Sequence, residues 1–491
     1  MDIEAVFHRL ASGGDAPAIK GGWVYQYVRS PISLWCDLNA PQDSKDPIPP
    51  FTQYLFDQGR DHESAVIKEF FPGARRELLR TEEEGFRRTL ELMTEGVPSI
   101  QNMPLLSGPE GLAGRPDVLE RIDGVSSALG DYSYRVVEIK YARRIKQAHV
   151  LQAAAYNRLL GLSQGYEPEE FAVLNGNLQI ILYEMTEWNG KLDRVLEDIR
   201  KILDGGSVAP CYGAAEWPWT GYVNQLAVLN NDVTLLSGIG AARRSIMVDS
   251  GFSRVEDVAS AEESVLMEIK GIGSGTAATL KTAAQSLVQD RVIRMALTPE
   301  VLRGRTEVFF DFEGTDPQVG APGPEVTNYL IGNYWRPANG DAEFLPFFTP
   351  TSAGEESNVR AFLDWASSLE DPVFYHWHHY ERTHLKKMCE FYEIDPVQVD
   401  WILERLVDLS PPVTNSFAFP CYGRGLKDIA KALGFNWRQD DVDAAGSVVL
   451  FRRFVGSGGA DVESKHKILV YNEDDCRATM HVFDWLMSQG E

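Results

Sequence analysis

The sequence predicts a multidomain α/β protein in which a small all-helical domain separates two mixed α/β domains. Its 491 residues are more than one hydrophobic core normally serves, so two to four domains are expected. Strand-like and helical patterns alternate up to residue 219 and again after residue 298. The stretch between them is helical and contains two similar glycine-bearing turns. We therefore expect domains at residues 1–219, 220–297 and 298–491.

The composition is that of a globular protein without a membrane segment. Apolar residues make up 44% of the chain and charged residues 24%, which excludes a disordered chain. The N-terminus is acidic and does not read as a signal peptide, and no stretch reaches about 18 uninterrupted apolar residues. Five cysteines lie far apart without a CxxC pair, which argues against a disulfide framework and a zinc ribbon. We expect a cytoplasmic protein with no membrane association.

The net charge of −24 limits how this chain can bind nucleic acid. Binding to a duplex draws much of its free energy from lysine and arginine side chains that displace counterions from phosphates. A nucleic-acid-binding surface must therefore be local. A carboxylate-rich site that loads divalent metal accounts for part of the acidity, and ordinary solvated surface accounts for most of it.

Three residues with the chemistry of a metal site lie on a predicted β-hairpin. One strand carries Asp117 and the next carries Glu138 and Lys140. Since side chains alternate along a strand, Glu138 and Lys140 point the same way, while Ile139 points into the core and offers its carbonyl. Carboxylate and carbonyl oxygens are the ligands that Mg²⁺ or Mn²⁺ prefers. A lysine beside them can orient or help deprotonate a water and offset charge on a phosphate.

Further residues of matching type flank this hairpin in the sequence. His62 precedes a predicted helix, and Gln152 and Tyr156 share one face of another helix because they are four residues apart. With the hairpin residues they resemble the RecB-type PD-(D/E)XK nucleases, whose pattern is an early histidine, GxxD, (D/E)xK and QxxxY. The resemblance covers about the first 210 residues and implies a restriction-endonuclease-like fold. It implies these roles: metal binding by His62, Asp117 and Glu138, catalysis by Lys140, and support of the site by Gln152 and Tyr156.

Many RecB-type relatives also hold an iron–sulfur cluster on one early cysteine and three cysteines after the QxxxY helix. In this chain the only candidates are Cys36 and Cys211. Two thiolates cannot supply four ligands, so we expect no iron–sulfur cluster. Stoichiometric iron in anaerobically purified protein would contradict this expectation.

The helical middle block contains the turns SGIGAARR and KGIGSGTA. Glycines there let the backbone turn tightly and expose amides near a helix N-terminus to a phosphate. The second turn, with Gly271, Gly273 and Gly275, is similar to the helix-hairpin-helix motif, which implies sequence-independent gripping of the DNA backbone. The first, with Arg243 and Arg244 just past it, is a candidate second copy, so that a paired unit would straddle a duplex. The alternative is a spacer, since acidic residues outweigh the basic ones in this block.

A second set of acids lies in the last block. Asp311 and Glu313 alternate onto one face of the apolar strand EVFFDFEG, where paired acids require a cation. Far downstream, Tyr471 and Asp475 stand four apart on a predicted helix, which brings a phenol and a carboxylate over the same site. This DxE…YxxxD set resembles the tyrosine-containing DEDD exonucleases over about residues 306–486. The resemblance implies an RNase H-like α/β fold, metal binding by the acids and a catalytic role for Tyr471.

The middle aspartate of that family falls in the stretch FYHWHHYERTHLKKM, where Glu381 takes the acid position. The longer side chain can still hold metal or a metal-bound water, but it can alter the spacing of two ions that normally lie roughly 3.5–4 Å apart. A folded but catalytically silent module therefore stays open for this domain. The four histidines of this stretch, without cysteines or an HExxH spacing, are a weaker case for a zinc site.

Together these patterns lead to a divalent-metal-dependent nuclease that hydrolyses phosphodiester bonds in DNA with Mg²⁺ or Mn²⁺. Single- or double-stranded DNA is the expected substrate, and RNA stays open. Because no Walker A sequence is present, a helicase partner in repair, processing or defence would be a separate protein. Two alternatives remain, namely a non-catalytic nucleic-acid-binding scaffold and an exonuclease that acts only through the C-terminal domain.

Overall fold

The computed structural model groups the chain into two compact units. The front unit consists of Met1–Ile48 and Thr52–Gln225, and the back unit of Pro49–Phe51 and the described residues from Leu226 onward. The back unit therefore contains both the helical block and the C-terminal α/β block. The structure describes residues 1–12, 18–315, 327–338, 340–439 and 442–490.

The front unit carries a mixed set of helices and strands. Its helices are α1 (Ile3–Ala11), α2 (Gly21–Arg29), α3 (Pro31–Asn39), α4 (Pro50–Phe70), α5 (Glu82–Glu95), α6 (Gln147–Gln164), α7 (Met185–Leu203) and α8 (Thr220–Leu229), with a short 3₁₀ helix at Gln42–Ser44. Its strands are β1 (Ile19–Lys20), β2 (Ser99–Gln101), β3 (Leu105–Ser107), β4 (Leu112–Gly114), β5 (Val118–Ser127), β6 (Gly130–Ile139), β7 (Glu170–Leu174) and β8 (Ile180–Glu184).

The main sheet of the front unit has five strands in the order β2-β5-β6-β7-β8. As predicted, β5 and β6 form an antiparallel hairpin, in which Val118 pairs with Val137. β6 and β7 run parallel, and α6 connects them because parallel neighbours need a crossover. Asp117 stands just before β5 and Lys140 just after β6. Since the two strands are antiparallel, both residues lie at the same edge of the sheet.

The back unit has more elements, and its first four helices belong to the helical block. Its helices are α9 (Ala241–Asp249), α10 (Val255–Ser260), α11 (Glu263–Met267), α12 (Ser274–Gln289), α13 (Glu355–Ser368), α14 (Tyr380–Phe391), α15 (Pro396–Leu403), α16 (Ser410–Thr414), α17 (Leu426–Ala432), α18 (Ala444–Gly456) and α19 (Val462–Ser488), with short 3₁₀ helices at Val233–Leu235 and Ser352–Gly354. Its strands are β9 (Ile293–Arg294), β10 (Thr306–Gly314), β11 (Asn328–Arg336), β12 (Glu343–Phe348), β13 (Pro372–His376), β14 (Leu406–Asp408) and β15 (Phe417–Ala418). Throughout the described ranges of both units, every helix is too short or too polar to cross a bilayer.

The two glycine-bearing turns of the helical block have the same backbone geometry. Gly238 and Gly271 take positive φ angles of 87° and 84°, a conformation that glycine adopts at little cost. Gly240 then caps α9 with φ −91° and ψ −179°, and Gly273 caps α12 with φ −89° and ψ 175°. The isoleucine between each pair of glycines is buried in both turns. The sequence repeat is therefore also a structural repeat.

The C-terminal sheet has the order β12-β11-β10-β13-β14, with β10, β11 and β12 antiparallel and β13 and β14 added parallel to β10. Its central strand β10 is apolar on both faces. Phe310 and Phe312 pack into a core with α13, α14 and α15. Phe309 faces the other way and packs against Phe483 of α19. The odd-numbered residues of β10, including Asp311 and Glu313, therefore face α19.

Hydrogen bonds tie the helical block to the C-terminal block within the back unit. β9 pairs with β15 in antiparallel register. The amide of Met295 donates to the carbonyl of Ser416 at 2.8 Å, and the hydroxyl of Ser286 on α12 donates to the carbonyl of Ala418 at 3.2 Å. The two blocks consequently share one packed arrangement, in which α12 leads directly into the C-terminal sheet region.

Candidate metal centres and nucleic-acid interface

Three carboxylates of the back unit meet at one point. Asp311 and Glu313 come from β10 and Asp475 from α19, and one oxygen of each lies within 4.8 Å of the other two. A Mg²⁺ ion with bonds of about 2.1 Å spans opposite ligands by about 4.2 Å, so three oxygens at this spacing fit one hard cation. Among the residues that the structure describes, no other three His, Cys, Asp or Glu side chains form such a group. We call Asp311, Glu313 and Asp475 the acid cluster.

Burial and mutual repulsion raise the pKa values of the acid cluster. Burial, and then the charges of Glu313, Asp475 and Glu381, hold the pKa of Asp311 well above its usual value. Burial and Asp475 raise the pKa of Glu313 to about 8. Burial also raises the pKa of Asp475, against the opposing effect of Lys427. Carboxylates packed this closely need a bound cation to stay ionised together, which is the property of a divalent-metal site.

Uncharged donors orient two acids of the cluster. The hydroxyl of Ser447 on α18 donates to Glu313 Oε2 at 2.7 Å. The indole N–H of Trp437 donates to Asp475 Oδ1 at 2.7 Å. Neither donor carries a charge, so both fix the position of a carboxylate and leave its negative charge for a cation. Neither partner was predictable from the sequence, because each comes from a segment far along the chain from the acid that it contacts.

A close approach between two strands and a helix positions Asp311. The side-chain amide of Asn472 on α19 donates to Asp311 Oδ2 at 2.8 Å and to the Asp311 carbonyl at 3.3 Å. Gly332 pairs opposite Asp311 in the β10–β11 ladder. A Cβ atom at Gly332 would lie 1.5 Å from Asn472 Oδ1. Only glycine leaves the space that this amide needs.

Tyr471 and Lys427 border the acid cluster. Tyr471 lies one helical turn before Asp475, as its spacing predicted, and hydrogen-bonds to that carboxylate. Burial and the nearby acids raise the pKa of its phenol far above its usual value, so it stays protonated. Nζ of Lys427, on α17, lies 4.5 Å from the centre of the Tyr471 ring. Sequence reasoning missed Lys427, because only the packing of α17 on α19 brings it here.

Glu381 also reaches the acid cluster. It lies in the first turn of α14, is 4% exposed, and is one of the charges that raise the pKa of Asp311. Its Oε2 lies 3.4 Å from Nδ1 of His376, and neither atom has a hydrogen-bond partner among the described residues. A buried carboxylate oxygen without a partner is costly, so this oxygen is open to an ion or water. Glu381 thus lies close enough to Asp311 to raise its pKa, but it is outside the group of three carboxylates within 4.8 Å.

The glycines of the second hairpin lie where α12 begins. Gly271 makes the turn, Gly273 caps the helix and Gly275 lies in its first turn. No side chain caps this helix N-terminus. Its first backbone N–H groups are therefore available to an anion, as the motif implies.

The two arginines of the first hairpin differ in their partners. Arg243 donates from Nη1 to the carbonyl of Gly238 at 3.0 Å and is partly exposed. Arg244 donates from Nε to Asp232 Oδ2 at 2.7 Å, and Asp232 is 3% exposed. An ion pair with a buried acid holds Arg244 in the fold. The predicted contact of Arg244 with nucleic acid would have to compete with this pair.

Four predicted residues of the front unit form one hydrogen-bonded chain. The Lys140 ammonium donates to Glu138 Oε1 at 2.8 Å and to Gln152 Oε1 at 3.0 Å. The Gln152 amide donates in turn to the Tyr156 hydroxyl at 3.0 Å. The alternation along β6 and the four-residue spacing on α6 thus place these side chains on facing surfaces. We call Glu138, Lys140, Gln152 and Tyr156 the front chain.

Asp117 lies beside the front chain and contacts the backbone of β6. Its Oδ2 accepts the amide N–H of Ile139 at 2.7 Å. Burial and Glu138 raise the pKa of Asp117 well above its usual value, although Lys140 opposes them. Burial alone would lower the pKa of Lys140, but Glu138 and Asp117 outweigh it and the pKa is raised. Lys140 is therefore held as an ammonium ion, which suits it to orienting a water or phosphate rather than to removing a proton.

His62 lies inside α4 and not before a helix, since α4 already begins at Pro50. It is 9% exposed, its Nε2 has no hydrogen-bond partner within the described ranges, and burial lowers its pKa. A neutral imidazole with a free nitrogen has the chemistry of a metal ligand. Within those ranges it does not form a three-ligand group with Asp117 and Glu138 at the 4.8 Å spacing.

Glu63 is an acid of the front site that sequence reasoning missed. Burial and the charge of Glu138 raise its pKa, and its own charge contributes to the raised pKa of Asp117. Glu63 follows His62 directly, but the spacing pattern has no place for it. Only the approach of α4 to the β5–β6 hairpin shows that it belongs to the site.

Two glycines lie directly against the ring of Tyr156. A Cβ atom at Gly21 would lie 2.1 Å from Tyr156 Cε1, and one at Gly114 would lie 2.3 Å from the same atom. Gly114 is the glycine of the GxxD pattern that ends at Asp117. Its role is therefore steric, because it lets β4 approach the ring that ends the front chain.

The two cysteines considered for an iron–sulfur cluster, Cys36 and Cys211, are buried and form no disulfide. Cys36 packs with Trp219 and other apolar side chains of α3 and α8. Burial raises the pKa of the Cys36 thiol to about 11. Cys36 is thus a small apolar side chain of this core in the protonated form.

Comparison with protein-family models assigns two segments of the back unit. Residues 308–487 match the model described as RNase_H superfamily, and residues 231–286 match the one described as SAM-like Helix-hairpin-helix tandem. The back unit carries an RNase H superfamily domain. A tandem helix-hairpin-helix region precedes it. The RNase H-like domain and the helix-hairpin-helix region predicted for this half are confirmed, and the DEDD exonuclease type stays a prediction. No curated protein matches the chain.

The RNase H domain implies a nuclease-type hydrolase that depends on divalent metal, and the acid cluster is where it could hold one. Together with the helix-hairpin-helix tandem, it indicates that the chain binds nucleic acid. The donor set agrees with this, because the cluster offers only carboxylate oxygens, the ligands of Mg²⁺ and Mn²⁺. The assignment of the front unit to the PD-(D/E)XK nucleases stays a prediction.

Proposed function

We propose that this chain is a metal-dependent nuclease that hydrolyses phosphodiester bonds in DNA, with a 3′-to-5′ exonuclease site of the DEDD type in its RNase H domain. The convergence of Asp311, Glu313 and Asp475 within 4.8 Å carries the proposal. Glu381 supplies the fourth acid and Tyr471 the phenol of that family's pattern.

The residues around the acid cluster have distinct tasks in this proposal. A bound Mg²⁺ or Mn²⁺ ion would polarise the phosphate and lower the pKa of an attacking water. Asp311, Glu313 and Asp475 would hold that ion. Tyr471 stays protonated and can donate a hydrogen bond to the water or the phosphate. Lys427 adds a positive charge that offsets the negative charge developing on the phosphate.

A cleavage assay tests the site in the RNase H domain. The substrate is single-stranded DNA labelled at its 5′ end and incubated with Mn²⁺, and an RNA of the same sequence tests the choice of substrate. We expect Asp311→Asn to slow stepwise shortening from the 3′ end about 1,000-fold, or ~4 kcal/mol of transition-state stabilisation. Asp364→Asn, an exposed acid on α13, is the matched control and should keep the wild-type rate. Full activity in Asp311→Asn would refute the assignment.

We further propose a PD-(D/E)XK nuclease site in the front unit. The front chain supports it, because it joins the (D/E)xK strand to the QxxxY helix through three consecutive hydrogen bonds. Asp117 and Glu138 would hold a divalent ion, with the buried nitrogen of His62 as a further ligand. Lys140, held as an ammonium ion, would orient the water and offset charge on the phosphate.

The front site has a separate test on double-stranded linear DNA with Mg²⁺ or Mn²⁺. The variants are Asp117→Asn and Lys140→Ala, each made in the Asp311→Asn background so that the RNase H site does not contribute. The control is Asp123→Asn in the same background, a 79% exposed acid on the neighbouring strand β5. We expect both site variants to lose the cleavage that the control retains. If both cleave as fast as the control, the front unit has another role, such as binding.

A further inference from the structure

A cleft of about 270 Å³ lies between the two helix-hairpin-helix turns and the RNase H domain. The first hairpin contributes Gly238 and Arg243, and the second contributes Gly275 and Thr276. Arg424, from the loop before α17, is the residue that the RNase H domain adds. All of these residues belong to the back unit. The cleft is thus built by both matched segments of the chain.

Arg424 is an exposed cation without a partner. In the part of the chain that the structure describes, its guanidinium makes no hydrogen bond or ion pair. The loop that carries it is nevertheless held in place. A Cβ atom at Gly423 would lie 2.0 Å from Asp428 Oδ2, so the loop lies directly against the first turn of α17. Arg424 therefore reaches the cleft from a fixed backbone.

The lining of the cleft suits an anion. Two arginines line it and none of its lining residues is acidic, in a chain whose net charge is −24. The helices α9 and α12 begin at the two hairpin turns, and neither has a side-chain cap. Gly275 and Thr276, in the first turn of α12, line the cleft, so the N–H groups of that turn and the hydroxyl of Thr276 add neutral donors to the two cations. This combination is the chemistry that recognises a phosphate.

The cleft is also close in sequence to the acid cluster. Arg424 lies in the cleft, and Lys427, three residues later, lies 4.5 Å from the centre of the Tyr471 ring. Three residues of chain span at most about 11 Å. One short segment therefore links the phosphate-binding chemistry of the hairpins to the site where we place hydrolysis.

Binding of a DNA phosphate by the hairpins is what their motif implies. We propose that Arg424 of the RNase H domain completes this cleft, so that it binds a backbone phosphate of the DNA strand whose 3′ end occupies the acid cluster. Arg424 and Arg243 would hold the phosphate, and the loop leading to Lys427 would set the path of the strand between the two sites. The direction of the strand rests on the function proposed for the RNase H domain. The anion site itself rests on the lining of the cleft.

The test measures how tightly the whole chain binds a fluorescein-labelled 20-nucleotide DNA strand. Binding is followed by fluorescence anisotropy, in EDTA and at several salt concentrations. We expect Arg424→Ala to weaken binding several-fold and the double variant Arg243→Ala/Arg424→Ala to weaken it about 10-fold. Each lost phosphate contact should also reduce the salt slope by about 0.7. Arg305→Ala is the matched control and should bind like the wild type, since Arg305 is an exposed arginine of the same unit that pairs with Glu370.

Wild-type affinity and salt slope in the double variant would overturn the proposal. Arg424 has no partner in the described residues, so its removal should leave the melting temperature unchanged and a binding defect would not reflect unfolding. Cleavage is measured separately. If binding falls in Arg424→Ala but the wild type cleaves no DNA with Mg²⁺ or Mn²⁺, the cleft stands and the proposed function fails. If the wild type cleaves and the double variant binds normally, the proposed function stands and the cleft fails.

Discussion

At the scale of single residues, close approaches by glycine decide how both candidate sites are built. Gly332 leaves room for the amide that holds Asp311, and Gly114 leaves room for the ring of Tyr156. Neither glycine carries chemistry of its own. Both matter because a side chain in their place would displace a residue that supports a carboxylate or a lysine.

Replacing Gly332 with alanine tests this role. The added Cβ atom would meet Asn472 Oδ1 at 1.5 Å, so the amide must move and Asp311 loses its donor. We expect at least a 10-fold slower cleavage by the RNase H site and a loss of about 1–3 kcal/mol of stability. Gly456→Ala on α18, where a Cβ meets open space, should leave both unchanged or raise the stability slightly. Equal behaviour of the two variants would show that the close contact is unimportant.

Replacing Lys427 with methionine should strengthen metal binding and slow DNA cleavage. The lysine charge lowers the pKa values of Glu313 and Asp475, so it also competes with a metal ion for them. Its removal should tighten Mn²⁺ binding several-fold, about 1 kcal/mol, and slow DNA cleavage. Calorimetry and cleavage kinetics measure the two effects, with Lys386→Met, a 61% exposed residue, as the control. Weaker metal binding with unchanged cleavage would contradict this role.

At the scale of elements, the sequence was informative where a periodicity sets which side chains face each other. Alternation along β10 predicted that Asp311 and Glu313 share a face, and helical spacing predicted that Tyr471 joins Asp475. Lys427 was not predictable, because its place depends on how α17 packs. The role of Gly332 was not predictable either, because it depends on the strand register that places it opposite Asp311. The ion pair of Arg244 was not predictable, because its partner Asp232 lies twelve residues earlier.

His149, near the N-terminus of α6, should make the stability of the fold depend on pH. His149 stacks on Tyr25 with ring centres 5.4 Å apart, and its Nδ1 accepts the Lys146 amide N–H at 3.1 Å. Burial first, and then Lys140, Arg29 and Lys146, lower its pKa to about 4. Because the pKa of His149 in the folded protein is below its ordinary value of 6.5, the neutral ring favours the folded state. This contribution to stability is complete above pH 6.5. That contribution is lost as the pH falls towards 4.

We therefore expect acid to destabilise the wild type more than His149→Gln, which has no imidazole to protonate. The difference should be on the order of 2 kcal/mol between pH 7 and pH 4. Melting temperatures across this range measure it, with His8→Gln as the control because His8 is 75% exposed. The idea fails if both variants and the wild type follow the same pH profile.

For the molecule as a whole, a negatively charged chain is proposed to bind negatively charged DNA. The charges at two local sites explain how it can do so. Part of the net charge of −24 lies in buried acids that a divalent ion would neutralise. The proposed phosphate cleft of the back unit is lined by two arginines and by no acidic residue. The family comparison covers the back unit, whereas the front unit rests on its residue pattern and on the geometry of the front chain.

Metal bound at the acid cluster should stabilise the back unit. A ligand that binds only the folded state at 100 times its dissociation constant adds about 2.7 kcal/mol of stability. We expect Mn²⁺ to raise the melting transition of the back unit in the wild type and not in Asp311→Asn. Calorimetry with and without Mn²⁺ would show this, and an equal increase in both proteins would place the ion elsewhere.

Digestion of end-labelled linear DNA by the wild type, Asp117→Asn, Asp311→Asn and their double variant in Mn²⁺ would show whether the chain is a nuclease with two sites. We expect the wild type to degrade the DNA and Asp311→Asn to lose stepwise release from the 3′ end. Asp117→Asn should keep that release, and the double variant should be inactive. A wild type that leaves the DNA intact, or a double variant that degrades it at the wild-type rate, would rule out both sites as proposed.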